Sequence, residues 1–214
     1  MIKYSIITLI TTLGLTFSAN AAVIYDESFD GDLSNNNLMP TEITLLRSIS
    51  LGSNIVKGTT LPNINPSDTA PEDPDFWSLT IPDGRALTAI LLESYSNEDD
   101  IRLSQSFFAV SEGREIFSIV DDSDLLGSAL IGAVDGNRLG DDVLDDLGQA
   151  LLGGKGFQGG LGSGSYTFWH QETAGKTSYA FDFQISSVPE PSMILGLLTL
   201  SSIGIFMYTY RQTI

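Results

Sequence analysis

The segment Ala86–Tyr95, with the sequence ALTAILLESY, has the clearest strand pattern in the chain. Both sets of alternating positions are apolar at its centre, and a strand with two apolar faces is typical of the inside of a sheet. We therefore expect an inner strand here. The turn signal Pro82-Asp83-Gly84 precedes it. Before that turn, Asp75–Ile81 has the aromatic and β-branched composition of another strand.

Further short strand-like runs lie on both sides of this region. They are Ile24–Phe29, Glu42–Leu46, Asn54–Thr60, Ser106–Val110 and Glu115–Val120. The chain closes with a predicted hairpin, in which Ser165–Glu172 and Thr177–Ile185 flank the turn at 173–176. Many short strands with regular turns predict a mainly β chain folded as an antiparallel β-sandwich.

The segment 121–154 has a different pattern and predicts a short helical insertion. Its apolar residues recur at helical spacing: Leu126, Leu130, Val134, Leu139, Val143, Leu147 and Leu151. Asp122 is a candidate N-cap for a first helix, and Asp142 lies where the first turn of a second helix favours acids. The pair Gly153-Gly154 follows as a helix stop.

The C-terminal residues 188–214 predict a membrane segment behind a proline bracket. Val188, Pro189, Glu190, Pro191 and Ser192 are followed by an uncharged apolar run from Met193 to Tyr210. Eighteen helical residues span roughly 27 Å, close to the thickness of a hydrocarbon core. Arg211 follows directly and favours a cytoplasmic C-terminus. The prolines keep the bracket extended, which suits recognition by a peptidase.

The N-terminal residues 1–21 have the pattern of a signal peptide. Lys3 gives the positive start, the stretch 4–17 is apolar, and Ala19-Asn20-Ala21 matches an A-x-A cleavage site. We expect cleavage by signal peptidase after Ala21. An uncleaved N-terminal anchor is the alternative, which the short apolar stretch disfavours.

The bracket Val188–Ser192, the single apolar span and the terminal basic residue together resemble the PEP-CTERM sorting signal of Gram-negative bacteria. The resemblance implies that exosortase recognises the Pro-Glu-Pro segment and removes the tail, in a setting of exopolysaccharide or biofilm matrix. The family usually ends in several basic residues, whereas Arg211 stands alone here. A permanent C-terminal anchor with an incidental proline-rich stalk is the alternative.

A second resemblance concerns the body, residues 22–187. Glu27, the stretch GDLS at 31–34, GSNIVKG at 52–58, DPDFWSL at 73–79 and IPDG at 81–84 are similar in order to bacterial pre-peptidase C-terminal domains. This resemblance implies a jelly-roll-like sandwich with a non-catalytic, accessory or carbohydrate-binding role. The helical segment is additional to the pattern.

The composition of the body limits its partners. Residues 22–188 contain 26 acidic and eight basic side chains, a formal net charge of −18. Nucleic acid is excluded as a ligand, because phosphate binding needs a basic surface. An acidic surface favours solubility and the binding of cations. The chain has no cysteine, which excludes disulfides, thiol catalysis and cysteine-based zinc sites.

Carboxylate clusters in the sequence make Ca²⁺ a candidate ligand, because this ion takes six to eight oxygen ligands. Two clusters lie at Glu27, Asp30 and Asp32, and at Glu72, Asp73 and Asp75. The candidate ligands are Glu27, Asp32, Asp73 and Asp75, although the sequence does not show that they meet. A third set follows the spacing of a calcium loop: Asp135, Asn137, Gly140 and Asp146. Leu139 occupies a ligand position there, which makes helix capping the better interpretation.

No catalytic set emerges from the sequence. His170 is the only histidine and no G-x-S-x-G motif accompanies it. Aromatic residues such as Trp77 and Trp169 suit either stacking on sugars or a buried core, and the core interpretation is favoured. We therefore expect a non-catalytic binding or structural protein of the cell surface or extracellular matrix, with polysaccharide as a candidate partner. The alternative is a secreted polysaccharide hydrolase that uses carboxylates.

Overall fold

The structure, a computed structural model, describes residues 21–61, 73–98, 105–119, 122–132, 139–150, 152–172 and 175–188. These residues are mainly β. Their strands are β1 Ala22–Asp26, β2 Thr41–Glu42, β3 Gly52–Thr60, β4 Asp75–Ile81, β5 Arg85–Asn97, β6 Gln105–Glu112, β7 Leu125–Gly132, β8 Gly164–Glu172 and β9 Thr177–Ser187. Three short helices accompany them, α1 Glu27–Asp30, α2 Ile43–Leu46 and α3 Val143–Gln149.

The strands form two sheets that pack through a common core. One sheet has the order β1-β3-β9-β5, and the other has the order β2-β4-β8-β6-β7. Most neighbours are antiparallel, but β1 runs parallel to β3 and β2 runs parallel to β4. The prediction of a β-sandwich is therefore confirmed, with two parallel pairs that the sequence did not indicate.

Trp77 lies at the centre of the core. Its indole is buried, and its ring centroid lies within 6.4 Å of those of Phe108, Phe168, Tyr179 and Phe181. These neighbours come from both sheets, so the aromatic rings join the two layers. Because Trp77 and Phe168 are buried, they are not available to stack on sugars, and the core interpretation is confirmed for them.

The predicted hairpin at the end of the body is wrong. β8 pairs with β4 and β6, whereas β9 pairs with β3 and β5 in the other sheet. The chain therefore passes from one sheet to the other between β8 and β9. The two strands themselves are present, and alternate residues share a face as a strand pattern predicts. Phe168 of β8 and Phe181 and Phe183 of β9 all face the core.

The helical insertion at 121–154 is only partly present. The first predicted helix is the strand β7, preceded by a short 3-10 turn at Asp122–Asp124. Gly127 of β7 lies against the Leu147 carbonyl of α3, where a side chain would collide with the helix backbone. A small residue at such a contact interrupts the alternation of large apolar side chains by which a strand is identified in a sequence. The second helix is confirmed as α3, where the Asp142 carboxylate accepts from the Leu144 amide.

Ala86–Tyr95 lies within an edge strand, not an inner one. β5 ends its sheet, and isolated bridges join its outer edge at Leu87 to Leu161 and at Leu91 to Asp142. Two β-bulges, between Leu87 and Ala89 and between Leu92 and Ser94, shift the alternation along the strand, so that Leu87, Ile90 and Leu92 all pack in the core. The run at 42–46 is mostly the helix α2, and the described part of the run at 115–120 contains no strand.

Both ends of the body lie at one end of the sandwich, here called the tail end. Ala22 pairs with Asn54 near the start of β3, and Gly52 pairs with Ile185 near the end of β9. The opposite end, where β1 and β3 finish and β4 begins, is called the far end. No helix among the described residues is long and apolar enough to cross a membrane. The predicted signal peptide and the predicted span 193–210 lie outside the described residues, apart from Ala21.

Truncation of the aromatic core is expected to destabilise the fold strongly. Phe181→Ala removes a fully buried ring that contacts Trp77 and Phe108, which costs about 3–5 kcal/mol in the free energy of unfolding. Phe29→Ala is the matched control, because Phe29 is 86% exposed and its loss costs about 0.5 kcal/mol or less. Denaturant titration measures both, and equal costs would contradict this account of the core.

Candidate functional site

Glu27 and Asp32 of the first predicted carboxylate cluster lie near Asp73 and Asp75 of the second at the far end of the sandwich. Asp30 instead pairs with Arg47, and Glu72 lies outside the described residues. Glu27 directly follows β1, and Asp73 is held beside the end of β3 by the hydrogen bond from its amide to the Leu61 carbonyl, 3.0 Å. Asp75 begins β4, and the Phe76 amide donates to the Ser34 carbonyl of the turn that carries Asp32. The negative charges of Glu27, Asp73 and Asp32 all raise the pKa of Asp75.

Glu27 is the partly buried centre of this cluster. Its Oε1 accepts from the Leu33 amide at 2.9 Å, and its Oε2 accepts from the Thr59 amide at 2.6 Å. Burial is the largest influence and raises the pKa of Glu27 to about 7, with smaller contributions from the charges of Asp32 and Asp73. The two amide hydrogen bonds act in the opposite direction.

Asp75 is fully buried and only half satisfied. Its Oδ2 accepts from the Tyr179 hydroxyl at 2.7 Å, whereas its Oδ1 has no hydrogen-bond partner. Burial, followed by the charge of Glu27, raises the pKa of Asp75 to about 9. The Tyr179 ring reaches this carboxyl over Gly58, where any side chain would collide with the Tyr179 hydroxyl. Glycine at position 58 is therefore required for this contact.

Neutral oxygens also surround the cluster. The Tyr25 hydroxyl donates to the Gly31 carbonyl at 2.8 Å, which places the turn at 31–32 beside the carboxylates. Burial and then the charge of Glu27 raise the pKa of Tyr25 to about 12. A side-chain hydrogen bond from Asn35 offsets part of the increase in the pKa of Asp73, which burial causes. Carboxylates, carbonyls and an amide are the oxygen ligands that Ca²⁺ prefers.

The carboxylates do not form a ready-made metal centre. Within the part of the chain that the structure describes, no three Asp, Glu or His side chains are arranged to hold a metal ion. Of the third predicted calcium set, Asp135 and Asn137 lie outside the described residues. Asp146 lies in the first turn of α3, and the neighbouring Asp142 caps this helix.

His170 lies in the core and is poorly placed for catalysis. It is fully buried, its ring lies 4.2 Å from that of Tyr179, and neither ring nitrogen has a hydrogen-bond partner. Burial lowers the pKa of His170 to about 3, against the opposing influence of Glu172. A neutral imidazole closed off from solvent does not reach a substrate.

Sequence reasoning identified Asp75 as a candidate calcium ligand but missed its partners His170 and Tyr179. Asp75 and His170 are direct cross-strand partners, and Tyr179 of the opposite sheet contacts both. Alternation along β4 contained the signal, since Asp75 shares its face with the buried Trp77. The contact of Tyr179 with Asp75 and His170 could not be predicted in the same way, because it depends on how the two sheets pack.

The described part of the sorting motif consists of Val188. This residue is half-exposed, and its amide donates to the Gly84 carbonyl at 2.8 Å, so it remains attached to the tail end. Pro189, Glu190, Pro191, Ser192, Ala19 and Arg211 lie outside the described residues. Ala21, the predicted signal-cleavage residue, immediately precedes β1.

Asp75→Asn is expected to stabilise the calcium-free protein increasingly as the pH rises. The folded-state pKa of Asp75, about 9, exceeds the unfolded value of roughly 3.9, so its contribution to stability is present below about pH 4 and is lost between about pH 4 and pH 9. An amide keeps the hydrogen bond from Tyr179 without this loss. The gain over the parent should exceed about 1 kcal/mol at pH 8 and shrink towards pH 5.

Denaturant titrations in EDTA at pH 5 and pH 8 measure this difference. Because His170 is present in both proteins, its own titration cancels in the comparison. The matched control is Asp145→Asn, which removes an exposed carboxylate of α3 that is not part of the cluster. A gain for Asp75→Asn that is independent of pH would contradict the assignment.

Comparison of the chain with protein-family models, with curated protein sequences and with solved structures gives no match.

Proposed function

We propose that this chain is an exported, exosortase-sorted protein of the cell surface or extracellular matrix, whose body has a non-catalytic binding or structural role. One observation carries the proposal. The last strand of the sandwich, β9, ends at Ser187, and the Val188 amide donates to the Gly84 carbonyl, so only Val188 separates this strand from the Pro-Glu-Pro segment of the sequence. A sandwich whose last strand directly precedes the proposed sorting motif is the arrangement expected of a folded protein with a removable C-terminal tail.

The body is proposed to be jelly-roll-like, in line with its accessory role. Two features support this: consecutive strands such as β8 and β9 alternate between the sheets, and the last strand lies inside its sheet. Such sandwiches commonly present loops and sheet faces to ligands. Polysaccharide remains the proposed partner, now through surface polar groups, because the aromatic residues Trp77 and Phe168 are buried.

A carboxylate hydrolase is the second candidate, and Glu27 is the observation in its favour. Its pKa is raised to about 7, and it lines a surface cavity of about 250 Å³ together with Thr59 and Ser178. Glycoside hydrolysis needs two carboxyl groups that flank the substrate. The second carboxylate that lines the cavity, Asp26, caps α1 and pairs with Lys57, and the neighbouring Asp75 is fully buried. Both facts favour the non-catalytic role. Release of sugar from a polysaccharide by the purified protein would reverse this preference.

We also propose that Ca²⁺ binds at the far-end cluster of Glu27, Asp32, Asp73 and Asp75. A divalent cation would meet the unpaired Asp75 Oδ1 and offset both the burial of these carboxylates and their mutual repulsion, which together raise the pKa values of Glu27 and Asp75. Binding requires the side chains to rearrange, since the present positions do not hold a metal. The ion would fix the turn after β1 to the start of β4.

The sorting proposal predicts a change in mass that depends on exosortase. In a host with the enzyme, the parent protein should lose its C-terminal tail, whereas Glu190→Ala should keep it because the Pro-Glu-Pro segment is altered. Glu93→Ala, an exposed change on β5, is the control and should be processed normally. Mass spectrometry of the membrane and secreted fractions measures the outcome. An intact tail on the parent protein, both in this host and in a host that lacks exosortase, would instead indicate a permanent anchor.

The calcium proposal predicts thermal stabilisation of the full-length chain in detergent. At a concentration of about 100 times Kd, Ca²⁺ should raise Tm by about 5–10 °C relative to EDTA. The double variant Glu27→Gln with Asp75→Asn should lose this gain, and Asp145→Asn should retain it. An unchanged Tm together with no heat in a calorimetric titration would exclude the site.

A further inference from the structure

We infer that the tail end of the sandwich lies against the membrane surface while the chain is anchored, and that the acidic far end points away from it. The partner of the tail end is thus a lipid bilayer. This inference rests on the proposed membrane span at 193–210. It adds an orientation, which the sorting proposal does not contain.

The first argument is where the chain leaves the body. β1 begins and β9 ends at the tail end, as the pairings Ala22 with Asn54 and Gly52 with Ile185 require. The hydrogen bond from the Val188 amide to Gly84 holds the last described residue at that end. Both membrane-directed segments of the sequence therefore connect to the same end of the sandwich.

The second argument is length. Only the four residues 189–192 separate Val188 from the apolar run, and four extended residues reach at most about 14 Å. β9 has 11 residues and is therefore about 36 Å long. This four-residue tether, 189–192, is much shorter than the body. It keeps the tail end close to the bilayer and does not let the far end replace it.

The third argument is the chemistry of the two ends. Val23, Leu51 and Val188 are 37%, 47% and 49% exposed, and all lie where β1 and β3 begin and β9 ends. Charged groups at the tail end are of both signs: Asp83 lies in the turn before β5, and Arg85 begins β5 opposite Ser187. At the far end, Glu27, Asp32 and Asp73 carry carboxylates that anionic headgroups repel, whereas Asp75 is buried.

The absence of cysteine allows a direct test, because a single introduced cysteine is labelled uniquely. Full-length Leu51→Cys and Ser96→Cys carry a fluorophore at the tail end and near the far end, respectively. The register places these positions about 26 Å apart along the strands. Each labelled protein is reconstituted into phosphatidylcholine vesicles that contain a lipid-attached quencher, and vesicles without the quencher are the control.

Quenching at position 51 is expected to exceed quenching at position 96 by about threefold or more, because contact quenching fades over a few ångströms and the labels are about 26 Å apart. A flexible insertion of about twelve residues between Val188 and Pro189 should reduce the difference, because it lengthens the tether. Equal quenching would mean that the body lies on its side or does not contact the bilayer, and overturns the orientation alone. Failure of the protein to float with vesicles overturns both the orientation and the membrane anchor.

Discussion

The pairing of β9 with β3 and β5 is the constraint on which the rest of the structure depends. This strand is the last in the body, yet it lies between two others and forms a ladder with each of them. Its inward side chains include Tyr179 and Phe181, which reach Asp75 and Trp77 of the opposite sheet. Its end places Val188 beside Gly84. The core, the carboxylate cluster and the position of Val188 therefore all depend on this one strand.

The carboxylate cluster shows a stability cost that the fold accepts at its far end. A buried carboxyl with an unpaired oxygen and three acidic neighbours favours the neutral form, so Asp75 holds a proton well above the usual pH range. A proton and a divalent cation relieve the same repulsion. The state of the cluster consequently depends on pH and, under the calcium proposal, on cation concentration. The cluster lies between the turn after β1 and the start of β4.

Local patterns in the sequence predicted strands better than they predicted partners. Asp75–Ile81 was predicted with the bounds that the structure has, because Trp77, Leu79 and Ile81 alternate clearly. Alternation does not specify a neighbour, which is why β8 and β9 were wrongly joined into a hairpin. β7 was mistaken for a helix because Gly127 is a small residue at a tight contact with α3. The calcium candidates were identified by composition, whereas their meeting at one end depends on contacts distant in sequence.

The position of β9 has a consequence for the order in which the body is made and moved. The first sheet lacks its inner strand until residues 177–187 are available, so β3 and β5 have no partner between them before that point. Pairing of distant segments also makes folding slow. A chain that lacks its closing strand stays unfolded, which is the state that a narrow export channel accepts. Under the proposed export, the sandwich would be completed only when this last segment arrives outside, and the fold itself would delay compaction until then.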